Sequence, residues 1–358
     1  MSSDKRMYFI RNIEALKDEN VESHVDEYEV ITDAHIVGEF TYGPYYFTIW
    51  ELSDKHAGEE RKLCLRIRER AFSSDDHPWR SARRSGFYHG GGIADELVAL
   101  ASLFLRRRFK LGPIVRMDNL PRLISIRGGG IDKPIVNGES NLAELSEWLK
   151  LVEGLDYNYH LKFILAVKFY QRALLLIEEQ PDMAYLNLVS AIEVLCKDTD
   201  IGKVTLSDLD KKLAELVGSV ENEDLRSEIE QAILKRERFI RRRFVAFILE
   251  HIENDFWTGE ERPEYGQIKL EEFPDLLKRI YDQRSRTLHK GEPFPPSVFY
   301  PPSMGAEIDF SLGMIKGEKK WEPKDFIPHP HFFERVVNYA LKSFIKKNQT
   351  KGENVGKL

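Results

Sequence analysis

The segment YDQRSRTLHKGE, Tyr281–Glu292, sets Arg284 and His289 five residues apart near the end of a run with helical spacing. Leu277, Ile280, Tyr281, Arg284 and Leu288 fall at steps of three and four, on one face of a helix. A guanidinium among residues that should point inward must meet a negative group, because burying it unpaired is too costly. Two partners suit it. The internal one is Glu193, itself a charge on the apolar line Leu186, Val189, Glu193, Cys196 of YLNLVSAIEVLC. The external one is a substrate phosphate at a cleft or a dimer seam, which a planar guanidinium can grip with two donors. His289 sits just before Gly291, a residue suited to ending the helix. A last-turn histidine is favoured as its imidazolium by the helix dipole, which suits a group that must give up a proton. A five-residue step turns it about 140° from Arg284 around a regular helix. One undistorted helix therefore does not aim both at one atom, though long side chains, a loosened last turn or a second copy of the helix could.

The spacing alone carries little, since RSGFYH repeats it at Arg84 and His89 inside a glycine-rich stretch. Positive charge near the site comes from LKRERFIRRRF, with Lys235, Arg236, Arg238, Arg241, Arg242 and Arg243 and the interleaved Phe239 and Phe244. Such a run can track phosphates and stack a base; it reads equally as a solvated helix face paired with its glutamates. Arg106–Arg108 follow IADELVALASLFL and read as a C-terminal helix cap, opposite Asp95 and Glu96 in the first turn. HGGGIADE lacks the Lys-Ser/Thr of a phosphate-binding P-loop and reads as a glycine turn. Trp79, Trp148, Trp257 and Trp321 read as core or loop anchors, and His160 as structural.

The elements that must hold these groups divide the chain. At 358 residues it is long enough for about two domains. A net charge of -6 argues against nonspecific coating of nucleic acid while leaving room for a local basic face. Cys64 and Cys196, far apart and without metal-ligand spacing, read as buried free thiols in a reducing compartment. No metal or cofactor is expected. The N-terminus has no signal-peptide core and no run of apolar residues is long enough to span a bilayer, so a cytoplasmic chain with no membrane partner is expected. The fold class expected is α+β. Residues 1–140 form a strand-rich, mixed domain, with period-2 alternation at Leu63, Leu65 and Ile67. Residues 141–346 form a helical bundle, and 347–358 a frayed tail. Within the bundle, ENEDLRSEIEQAILKRERFIRRRFVAFILEHI reads as one helix. The connection from Gly291 to Pro330 is long and proline-rich, begins right after His289, and could lie over it.

YDQRSRTLHKG near the end of this bundle resembles the R-x4–6-H motif of HEPN domains. LAVKFYQRALLLIEEQPDMAYLNLVSAIEVLCKD looks like the first two bundle helices of Apea-like HEPN proteins, with their A-x-x-Y/F-x-x-A and AIE-x-L patterns. The likeness covers roughly residues 155–345, and it departs where Lys290 intervenes between His289 and Gly291. It implies a HEPN-like all-α bundle and a metal-independent endoribonuclease in which the RNA's own 2′-hydroxyl attacks, leaving a 2′,3′-cyclic phosphate. His289 would move protons, Arg284 would stabilise charge on the phosphoryl oxygens, Ser285 would hold a phosphate oxygen or orient His289, and Glu193 would anchor Arg284 from behind. The site would be built across a homodimer, on an RNA substrate of which tRNA is one class. The resemblance further suggests an anti-phage or toxin-type defence role, with a phage-derived or protein trigger acting through the N-terminal domain. The alternative is a non-catalytic HEPN module, binding a nucleotide or a protein, in which Arg284 only pairs with Glu193.

Overall fold

The computed structural model describes residues 6–51, 61–71, 92–116, 139–236, 239–258, 262–300, 302, 305–316 and 319–350. Arg84, His89, Trp79, Arg238, the glycines before Gly92 and the segment from Lys351 lie outside them. The fold class is α+β, with a strand-rich N-terminal layer followed by a mostly helical C-terminal part.

Strands β1 (Ser23–Thr32), β3 (Phe40–Tyr42), β4 (Tyr45–Glu51), β5 (Arg61–Arg70) and β6 (Phe109–Arg116) form an antiparallel sheet in the order β3-β4-β5-β1-β6. A short β2 (His35–Val37) pairs in parallel with β7 (Glu139–Asn141). Alternation does the sorting here, because successive side chains point to opposite faces. Leu63, Leu65 and Ile67 of β5 are all buried, with Phe47 opposite Leu65 and Tyr45 opposite Ile67. Their face packs on helix α1 (Tyr8–Ala15) and on α2 (Ile93–Phe104), a helix buried on nearly all sides. Glu96 of α2 is itself buried. Its two carboxylate oxygens accept from the backbone N–H groups of Tyr8 and Phe9, at 3.0 and 2.9 Å, and so cap α1 from another helix.

The arginines after α2 do not serve as a dipole cap. Arg106 takes a left-handed conformation (φ 51°) directly past the helix end and reaches Glu334, far away in sequence. Arg108 pairs with Asp33 and, at 3.3 Å, with Glu178, while Arg107 donates to the carbonyl of Arg106. These contacts join the sheet layer to the helices, and the apolar core runs across the same junction. Trp148 takes part in it, stacked on Phe104 with ring centroids 4.7 Å apart.

The helical part comprises α3 (Leu145–Glu153), α4 (His160–Leu176), α5 (Pro181–Leu195), α6 (Leu206–Leu209), α7 (Lys211–Gly218), α8 (Glu223–Arg236), α9 (Ile240–His251), α10 (Asn254–Thr258), α11 (Phe273–Lys290) and α12 (Pro330–Lys347). Helix α4 packs along α5 and against α2, and α12 lies across α5 and α9. Buried Phe163, Tyr170, Tyr185, Phe247 and Phe344 fill the space between them, each contributing about 1.5–3 kcal/mol by leaving water. The long run expected as one helix is split. Phe239 is left-handed (φ 48°) and separates α8 from α9. Helices α6–α8 pack mainly on one another, and α8 buries none of its described side chains fully.

Among its described residues, the connection after α11 carries short turns and a small hairpin, β8 (Met314–Lys316) with β9 (Lys319–Trp321). It is nonetheless well anchored. Buried Glu307 accepts from Arg262, from Arg335 and from the Ile268 amide. One guanidinium nitrogen of Arg279, on α11, faces the carbonyls of Pro323, Lys324 and Phe326. Tyr185 donates to the Pro328 carbonyl at 2.8 Å. Among the described residues, no helix is long and apolar enough to cross a membrane.

Candidate functional site

Helix α11 starts with Pro274 in its first turn and buries Phe273, Leu276, Leu277, Ile280 and Gln283. Its buried stripe therefore drifts round the helix and climbs out of the core toward the C-terminal end. Tyr281 is half-buried, Arg284 is 19% exposed, and Leu288, expected to continue the stripe, is 52% exposed.

Arg284 lies against α5. Its Nη2 donates to Glu193 Oε2 at 2.6 Å, and the Glu193 side chain is 18% exposed. The two charges that stood out on their apolar stripes thus meet within one chain. At this exposure the pair contributes on the order of 1–2 kcal/mol, since solvent still screens it. The guanidinium carbon also lies 5.8 Å from the centre of the Tyr281 ring, one turn earlier. Arg284 Nε is buried with no hydrogen-bond partner among the described residues. Burial first, and then the nearby Glu193 carboxylate, holds the Tyr281 phenol well above the ordinary tyrosine range. Cys196 is buried nearby as a free thiol, pushed up to about 12 by burial first and by Glu193 second.

His289 is exposed in the last turn, so the proline-rich connection does not cover it. The helix stays regular through Lys290, which leaves His289 about 140° around from Arg284. On a regular helix the two side chains therefore leave in different directions. Ser285 is half-buried between the two. The helix ends at Gly291, whose φ of 67° suits a residue without Cβ.

A residue passed over in the sequence organises this end. Gln283 is 1% exposed, and its Nε2 donates to Thr287 Oγ1 at 3.1 Å and to the Pro293 carbonyl at 3.0 Å. Its Oε1 accepts from Arg286 at 2.7 Å, and Thr287 Oγ1 donates to the Glu292 carbonyl at 2.8 Å. A neutral amide has no charge to flag it. Its signal was position, one step from Ile280 along the buried side.

The basic run is partly committed elsewhere. Arg241 pairs with Asp282 of α11 at 3.0 Å, in solvent, and Arg243 donates to the Lys197 carbonyl. Arg242 is half-buried, and Lys235 stands in the last turn of α8. Phe244 is fully buried against the Tyr281 ring, with centroids 5.4 Å apart, so it does not serve as a stacking platform. His160 is buried, as expected of a structural histidine. Among the described residues no group of His, Cys, Asp and Glu is placed to hold a metal ion. Comparison of the chain with protein-family models, with curated proteins and with solved structures returned no match.

Proposed function

We propose that the chain is a metal-independent endoribonuclease of a cytoplasmic, toxin-type defence system, with Arg284 and His289 as its catalytic pair. The observation that carries this is the position of Arg284. It stands at the rim of the α5–α9–α11 junction, held on one side by Glu193 and 19% exposed, with an exposed His289 in the following turn. In the reaction the RNA 2′-oxygen forms a bond to phosphorus as the bond to the 5′-oxygen breaks. His289 removes the 2′-hydroxyl proton or supplies one to the leaving oxygen, and Arg284 neutralises charge on the phosphoryl oxygens. Because the two side chains diverge on one helix, the reading requires a second copy, with Arg284 of one protomer facing His289 of its partner. RNA cleavage in EDTA, leaving 2′,3′-cyclic phosphate ends, is expected from the full chain and absent from Arg284→Ala and His289→Ala. Cleavage that survives in both variants, or a strictly monomeric protein, overturns the reading.

One observation favours a second reading. Arg284 is already paired at 2.6 Å within its own chain, and two of the nearby arginines are engaged. In that case the bundle is a non-catalytic module, and both alanine variants bind the same nucleotide or protein ligand as the unaltered chain.

A further inference from the structure

Helix α12 carries a polar line at steps of four: Glu334, Asn338, Lys342 and Lys346. Residues so spaced share one helix face, and this face meets the end of α2 and helix α3. The first two members are supplied with partners. Glu334 accepts from Arg106 on both oxygens and from the Tyr170 hydroxyl, and Asn338 donates to Tyr170 and to the Leu103 carbonyl. The last two are not. Their ammoniums lie over one indole, that of Trp148 on α3, with Lys342 Nζ 5.4 Å and Lys346 Nζ 5.3 Å from the ring centre. Among the described residues neither has a carboxylate within ion-pair distance. The next lysine, Lys347, turns instead to Glu253 at 3.1 Å.

One ammonium over an aromatic ring is an ordinary contact. A second over the same ring is repelled by the first, and Lys342 is half-buried, so water screens it less than a surface lysine. Burial first and Arg106 next lower its pKa to about 8, the direction expected of an ammonium short of negative charge. Phe104, stacked on the other ring system at 4.7 Å, brings no charge. The nearby carboxylates are engaged, Glu334 by Arg106 and Glu147 by Lys150, while exposed Glu144 acts on Lys342 from beyond ion-pair distance. Two cations held over one platform without a counter-charge match a dianion. A phosphomonoester carries close to two negative charges at neutral pH, whereas each RNA phosphodiester carries one. We propose that Lys342, Lys346 and Trp148 form a binding site for a phosphoryl dianion, that of a small phosphorylated molecule or of free phosphate, beside the Arg106–Glu334 joint. The site draws on neither Arg284 nor His289, and it stands whether or not the chain cuts RNA.

The test titrates inorganic phosphate, glycerol phosphate and dimethyl phosphate into the full chain by calorimetry at constant ionic strength. The variants are Lys342→Gln, Lys346→Gln, Arg284→Ala and, as a control that removes the same charge from the same turn, Lys347→Gln. Thermal unfolding shows that each folds; Lys346 is exposed, so its variant decides even where Lys342→Gln is destabilised. The dianions are expected to bind saturably, and dimethyl phosphate about tenfold more weakly, the scale of one lost charge-assisted contact. Lys342→Gln and Lys346→Gln are each expected to weaken dianion binding by about tenfold or more. Lys347→Gln and Arg284→Ala are expected to bind as the unaltered chain does. Binding of free phosphate without glycerol phosphate supports the site and fixes its ligand as the free ion. The inference is overturned by no saturable binding, by equal weakening in Lys347→Gln, or by equal affinity for dimethyl phosphate. Binding lost in Arg284→Ala but kept in both lysine variants places the anion elsewhere and overturns it as well.

Discussion

Replacing Arg106 tests the joint between the sheet layer and the bundle. Its Nε lies 3.1 Å from each carboxylate oxygen of Glu334 and its Nη2 lies 2.8 Å from one of them. Glu334 is only 2% exposed on its side chain, against 23% for Arg106, and its other partner is the hydroxyl of buried Tyr170. Asn338 completes the cluster, donating to Tyr170 at 3.0 Å and to the Leu103 carbonyl at 2.7 Å. Arg106→Ala strands a buried carboxylate, which costs about 3–5 kcal/mol. Alanine also inherits the left-handed backbone, worth about 1 kcal/mol against any residue with a Cβ. Arg106→Gly strands the same carboxylate but is free of that strain, so it is expected to be about 1 kcal/mol less damaging. Arg106→Ala combined with Glu334→Gln removes the stranded charge and is expected to recover part of the loss, a coupling that a double-mutant cycle isolates. Urea unfolding followed by circular dichroism reads all five proteins: the unaltered chain, Arg106→Ala, Arg106→Gly, Glu334→Gln and the double variant. A loss below about 1 kcal/mol for Arg106→Ala, or strictly additive single variants, would refute the argument that this pair is buried and coupled.

Two further outcomes follow from buried polar groups. His329 is buried at the start of α12, and burial, assisted by His331, lowers its pKa from 6.5 to about 4. The unfolded chain then binds the extra proton first, so this contribution is whole above about pH 6.5 and is lost as pH falls toward 4, up to about 3 kcal/mol. Stability measured between those pH values should fall less steeply in His329→Phe, and an unchanged slope would contradict it. Gln283→Leu leaves the Pro293 carbonyl and Thr287 hydroxyl short of a donor. It is expected to cost about 1–3 kcal/mol and to expose the chain after Gly291 to limited proteolysis, with an unaltered cleavage pattern as the contrary result.

Some of this architecture was readable from local pattern. Alternation at Leu63, Leu65 and Ile67 gave a half-buried strand because side-chain direction repeats every two residues. Arg284 and Glu193 were legible because each broke an apolar stripe with opposite charge, and two such faults in one core tend to meet. The rest depends on distance along the chain. Nothing near Arg106 announces Glu334, and nothing near Arg262 announces Glu307. Phe239 carries no glycine or proline to mark the break between α8 and α9, so periodicity ran through it. The last turn of α11 looked buried because spacing records which face a residue shares, not how far the neighbouring helices extend. The anchored connection was hidden for a related reason, since backbone carbonyls accepting from Arg279 leave no mark in side-chain pattern.

The junction at Arg106 bears on how freely the two halves of this chain can be exchanged. Severed from the sheet layer, the helices would present an orphaned acid at Glu334, an unfilled amide at Asn338 and the bare face of α4 that now receives α2. The helical half is thus shaped to one neighbour and is not an interchangeable cassette. A replacement N-terminal layer would have to bring its own cation, in a left-handed bend, to the same point.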